Sequence, residues 1–196
     1  MKQLLMDFGG NLAEATEKTL RPAGIVLCGT MFAALCAHIS IPLLFTPVPL
    51  SLQPFAVLLL GLLLTPGMAA ATFAAYLAEG AAGLPVFAPA AGASAGLAHL
   101  LGPTGGYLMA YPAAAALISW LWRRTGRSFG SALASATAGD LAILACGALW
   151  LAALPHAGAR FATVAALLPF LPGDALKAAA AAGIAAGWVR MRRRAS

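Results

Sequence analysis

Charge is what this sequence has least of. Asp, Glu, Lys and Arg make up 9% of its 196 residues, against about 25% in soluble domains. No polar stretch is long enough to bury a core of its own, which excludes a separate soluble domain. Cysteine is scarce as well: Cys28 and Cys36 lie in one apolar run and Cys146 in another. That leaves no metal-ligand spacing and no disulfide framework, so the three read as small apolar side chains. No glycine-rich loop leads into a lysine, so the chain has no phosphate cradle of its own for ATP, and no His-Glu-x-x-His zinc motif occurs. The net charge of +6 would suit nucleic acid. The basic residues instead flank apolar runs, with no aromatic platform beside them, which sets that partner aside.

What is present is apolar and small. Hydrophobic residues make up 61% of the chain, with 21 glycines and 13 prolines, and the mean hydropathy is +0.87. This is the balance of an integral membrane protein. Frequent Ala and Gly let helices approach closely in lipid. The sequence predicts an all-α membrane protein, a compact bundle of six transmembrane helices forming one domain over 1–196. Residues 1–21 are polar, lack the apolar region of a signal peptide, and form a cytoplasmic segment with a short surface helix over 12–20. The bundle occupies 22–190, and 191–196 is a basic cytoplasmic tail.

Prolines and glycines divide the bundle. Pro22 opens a first span to about residue 41, in which Gly29, Ala33 and Ala37 recur at four-residue spacing. Such a stripe marks a helix-contact face, serving either packing within the bundle or docking of a partner subunit. Pro42, Pro47 and Pro49 exclude regular helix over 42–53. A second span, 52–64, is short at roughly 20 Å. Thr65-Pro66-Gly67 turns into a third span ending near residue 82, with Glu79 close to its end. Residues 83–106 are irregular and glycine-rich, yet carry none of the charge of a solvated loop. Further spans follow at 107–122, at 131–154 with Asp140 inside, and up to Arg190–Arg194.

The stretch LPFLPGDALK, residues 168–177, plants an acid and a base where a last, Ala-rich helix restarts. Asp174 and Lys177 are three residues apart and share a face. Ionisable groups at membrane depth are costly and mark a site or pathway by default. With six spans, Lys2, Lys18, Arg21, the arginines at 123–127 and those at 190–194 all face the cytoplasm, as the positive-inside rule requires. Both irregular segments and the Asp174 mouth then share the outer face, where two irregular loops cap a ligand pocket.

Three ordered stretches, TPVPLSLQPFAVLLLGLLL (46–64), YLAEGAAGLPVF with LLGPTGGY (76–87 and 100–107), and LPFLPGDALK, resemble the biotin-specific S component (BioY) family of energy-coupling factor transporters. The likeness spans roughly residues 25–188. It implies a multi-pass protein of the cytoplasmic membrane with both termini inside and no catalytic activity or cofactor of its own. Such a protein captures biotin from outside for a transmembrane T component and two ABC-type ATPases. Asp174 and Lys177 match the polar pair that holds the ligand head group, and Tyr107 the tyrosine closing GPTGGY. Ser94 falls where relatives can carry a polar side chain, and Ala33 and Ala37 match the pattern that packs on the T component. Leu108 departs from members that have a basic residue there for the ligand carboxylate, leaving His99 or backbone N–H groups as substitutes. The chemistry agrees: a carboxylate is acceptor-only and an ammonium donor-only, which suits the two N–H groups and carbonyl of a ureido ring. Phe87, Val48 and Leu50 can line the apolar remainder.

Other readings stand beside these. Tyr107 suits an interfacial aromatic belt, Gln53 orients the second span or touches ligand, and His99 packs in its loop. Glu79 and Asp140 bond across helices or have no assigned part. An intramembrane enzyme with Asp174 as acid or base needs a second group in reach, for which spacing offers only Lys177. A small proton-coupled carrier would use Asp140 and Asp174 as its relay. Self-association of the chain alone is left open.

Overall fold

The computed structural model describes residues 2–43, 46–89, 96–154 and 169–195. Helix α1 runs Lys2–His38, α2 Gln53–Leu63, α3 Pro66–Ala81, α4 Leu97–Leu100, α5 Gly105–Arg123, α6 Phe129–Ala153 and α7 Leu171–Ala195. The six longer helices make the bundle. Pro54 and Pro66 lie in the first turns of α2 and α3, where a missing N–H costs nothing and a fixed φ suits the helix. Thr65 caps α3 by accepting from the Met68 N–H at 3.4 Å. Ser128 and Ser131 form a reciprocal capping box that starts α6.

Three elements differ from the sequence-based expectation. A surface helix and a separate first span are expected, but α1 is one helix of 37 residues with Pro22 inside it. A proline in a helix interior removes one hydrogen bond, and here the long helical runs on both sides carry through it. The glycine-rich segment also contains the single-turn helix α4, and α7 starts at Leu171, before Gly173.

The first irregular segment folds back on itself. Strand β1 (Ser40–Ile41) pairs antiparallel with β2 (Leu50–Ser51), joining Ser40 to Ser51 and Ile41 to Leu50. The Leu52 N–H also donates to Ile39 O at 2.9 Å. The prolines between are thus drawn into a closed loop over the start of α2.

The shortest long helix is the most central. At 11 residues, about 16 Å, α2 is far shorter than a bilayer core of about 30 Å. It touches all five other long helices, and Ala56, Val57, Leu58 and Leu62 are buried. A helix apolar all round belongs inside a bundle. Its last carbonyls, which need partners outside the helix, include Leu64 O, which accepts from Ser119 Oγ of α5 at 2.6 Å. Around α2, α5 packs on α3 and α6, α7 packs on α2 and α6, and α1 packs on α2 and α3. The stretch Leu20–His38 of α1 and helix α6 are long and apolar enough to cross a membrane.

The small-residue stripe of α1 faces inward. Ala33 and Ala37 are both 0% exposed, and a side chain at Gly29 would meet the Thr72 methyl of α3 at 2.5 Å. The outer face of α1 is built by Leu27, Met31 and Leu35. Periodicity had identified a contact face; in this chain α2 and α3 cover it. Docking of a partner subunit directly on Gly29, Ala33 and Ala37 is therefore corrected to packing inside the bundle. Ala33→Leu and Ala37→Leu should each overpack this seam and cost about 1–3 kcal/mol. Thermal unfolding in detergent checks this; an unchanged midpoint for both would put the stripe back on the surface.

Candidate ligand-binding site

Helices α2, α5 and α7 begin at the same end of the bundle, and a cavity opens between their first turns. About 560 Å³ of non-atom space lies within it, open solvent at its mouth included. The folded-back loop supplies Val48 and Pro49, and α5 supplies Tyr107, Leu108 and Tyr111. Ile143 and Leu144 of α6 add apolar wall.

Asp174 and Lys177 form its polar centre. Lys177 Nζ donates to Asp174 Oδ1 at 2.7 Å, and the residues are 3% and 9% exposed. The Asp174 N–H enters the helix ladder by donating to Phe170 O at 2.8 Å, so Phe170 and Pro172 set where the pair stands. This salt bridge joins two side chains of one helix, three residues apart. It uses one of three ammonium protons and one carboxylate oxygen. The rest can serve a ligand.

The other residues singled out by sequence divide into three groups. Gln53, His99 and Tyr107 line the same cavity. Gln53 Nε2 donates to Tyr76 Oη at 2.7 Å, and Tyr76 donates to Val86 O at 2.6 Å. Gln53 is thus held between α2, α3 and the start of the second irregular segment. Phe87 stands behind the wall, 5.0 Å from the His99 ring and 5.4 Å from Tyr76. Leu50 is tied into β2 and is absent from the lining. Ser94 lies outside the described residues.

Close backbone approach sets Tyr107. A side chain at Gly147 of α6 would fall on the Tyr107 ring, and one at Gly106 would meet Trp150 and the carbonyl of Cys146. Trp150 Nε1 in turn donates to Gly102 O at 2.9 Å, fastening the loop before α5 onto α6. Sequence reasoning passed over Tyr111, although it follows Tyr107 by four residues and so shares its helix face. It also left Asp140 without a place; Asp140 lines the cavity, 6% exposed.

Neither a metal-ligand cluster nor a nucleophile elbow occurs among the described residues. Among the described residues no three His, Cys, Asp or Glu side chains cluster as metal ligands. Two Gly-x-Ser-x-Gly strings occur, at 92–96 and 126–130. A nucleophile elbow needs a strand before the serine, whereas Ser128 is the cap of α6; residues 92–95 lie outside the described residues.

The fold and cavity define a helical membrane protein that encloses a small molecule between helix ends and folded loops. The chain belongs to the BioY family, whose sequence profile matches residues 11–194. It is 43% identical over 139 residues to the probable biotin transporter BioY of Pyrococcus horikoshii, covering 71% of this chain and 79% of that protein. It is 40% identical over 149 residues to the biotin transporter BioY of Thermotoga maritima, covering 76% and 84%. The fold matches the crystal structure of the S-component for biotin from an ECF-type ABC transporter. That match has a TM-score of 0.78 at 27% identity and covers 90% of this chain and 93% of that one.

Tyr76→Phe tests the scaffold behind the cavity. It leaves the buried Gln53 amide and Val86 O without their partner, at about 1–3 kcal/mol for an orphaned buried group. The thermal midpoint of detergent-purified protein should fall; a wild-type midpoint would show that the network contributes nothing.

Proposed function

We propose that this chain captures biotin at the membrane as the substrate-binding S component of an ECF-type ABC transporter. The observation that carries this is the buried Asp174–Lys177 pair facing a mostly apolar cavity in a member of the BioY family. The ammonium donates to the ureido carbonyl and the carboxylate accepts an adjacent N–H. The apolar wall of Val48, Leu108 and Ile143 receives the fused rings and aliphatic tail. Tyr107 and Gln53 border the ligand, and His99 is the polar side chain placed to meet its carboxylate where Leu108 offers none. Phe87 supports His99 from behind.

Energy comes from other chains, a transmembrane T component with two ABC ATPases, since this sequence has no phosphate-binding loop. Partner docking on this reading uses surface other than Gly29, Ala33 and Ala37. Both termini face the cytoplasm and the cavity opens outward. At the end opposite the cavity, Arg123, Arg127 and Arg192 share a cleft with Trp122 and Trp188. Clustered arginines and interfacial tryptophans at one end accord with the inner face of a membrane. The enzyme reading has less support, because the Asp174 carboxylate is held by Lys177.

Two measurements test this. Asp174→Asn and Lys177→Ala should each weaken biotin binding about tenfold to a hundredfold, the equivalent of a lost charge-assisted hydrogen bond, in protein that still folds. Near wild-type affinity in both variants refutes the assignment. For orientation, Cys28, Cys36 and Cys146 are first replaced and a single cysteine is introduced by Ala195→Cys. An impermeant thiol reagent should label it only after the cells are opened; labelling of intact cells would invert the layout.

A further inference from the structure

Asp140 is the one Asp, Glu, His, Lys or Arg of α6 and stands near the middle of that 25-residue helix. The sequence has six acidic residues; three precede residue 20, and the others are Glu79, Asp140 and Asp174. Two of these last three line one cavity. Asp174 has its ion pair. Asp140 has no hydrogen bond among the described residues, and its Oδ1 is fully buried without a partner. A buried polar atom left unmatched is destabilising, and an orphan in a folded protein needs an explanation.

The geometry of a cyclic urea supplies one. Its two N–H groups lie on opposite sides of the carbonyl. A pair three residues apart on one helix, such as Asp174 and Lys177, can read one edge: the carbonyl and the N–H beside it. The second N–H points away from Asp174 and needs an acceptor from another element. Helix α6 packs against α7, and Asp140, Asp174 and Lys177 line the same cavity. We infer that Asp140 accepts the second ureido N–H, so that two carboxyl groups and one ammonium meet two N–H groups and one carbonyl one for one. This rests on the reading of the pocket as a biotin site. A carboxyl group keeps an acceptor oxygen whether ionised or protonated, so the assignment holds in either form. A site built to accept an N–H discriminates strongly against an analogue that lacks it, because its own polar group is then left unpaired.

The test is calorimetric titration of the detergent-purified full chain with biotin and with two analogues, each methylated on a different ureido nitrogen. Wild-type protein should bind biotin and lose affinity for both analogues. Asp140→Leu should weaken biotin at least tenfold, yet cause no further loss for the analogue whose methyl replaces the hydrogen taken by Asp140. The other analogue should remain sensitive to the substitution. Asp140→Asn, which keeps an acceptor oxygen and, unlike Asp174→Asn, breaks no ion pair, should bind biotin more tightly than Asp140→Leu. The ligand-free thermal midpoint of Asp140→Leu should hold or rise, since an orphaned polar group has been removed. Unchanged biotin affinity in Asp140→Leu, or equal loss for biotin and both analogues with a lowered midpoint, overturns the assignment to Asp140 alone. Failure of wild-type protein to bind biotin overturns the pocket reading and this inference with it. If Asp140→Leu does not fold, Asp140→Ala is read by the same ratios.

Discussion

In hydrocarbon, a polar group must find its partner within the protein, and that constraint organises this fold. The most telling case is α2, too short to cross a bilayer and enclosed by five neighbours. Its buried face runs from Gln53 to Leu62, while Leu63 at the far end is 38% exposed. One end is closed by Ser119, whose hydroxyl donates to Leu64 O. The other end opens into the cavity, beneath the loop held shut by the Ser40–Ser51 and Ile41–Leu50 pairings. The truncated helix therefore creates the space for a ligand, and the irregular backbone above it is tolerated because it lines that space.

The same rule governs the charges. Asp174 and Lys177 are affordable in an apolar bundle because they neutralise one another at 2.7 Å in the first turn of α7. Around them the walls are held by neutral contacts: the Gln53–Tyr76–Val86 relay between α2 and α3, and the close seating of Tyr107 against Gly147. The result is a small number of polar groups held by rigid helices, with apolar surface between them. Such a site recognises shape and hydrogen-bond pattern together.

Much of this was legible in the sequence, for identifiable reasons. Pro66 marked a helix start because proline is suited to a first turn and little else in a helix. Asp174 and Lys177 stood out because ionisable residues in apolar runs are rare, and their shared face follows from a spacing of three. Pro22 misled, since the cost of one missing hydrogen bond did not end a 37-residue helix. The α1 stripe was recognised as a contact face, but periodicity says only that a face is covered, not by what; α2 and α3 cover it. Asp140 was equally visible as a charge. Its place was not, because which helix faces which is a property of the packing and leaves no local pattern. Ser94, in the second irregular segment, lies outside the described residues.

The bond from Trp150 to Gly102 gives the protein a built-in optical reporter. Of the four tryptophans, Trp122 and Trp188 share the cleft at the far end, and Trp120 lies beneath the Arg124 guanidinium. Trp150 alone is fastened to the loop that leads into the cavity wall, with its ring against Gly106 and next to Tyr107. Its indole is therefore the one held to the segment that leads into Thr104 and Tyr107 of the cavity wall. The other three emit from the opposite end, as a background set by the arginine-rich surface.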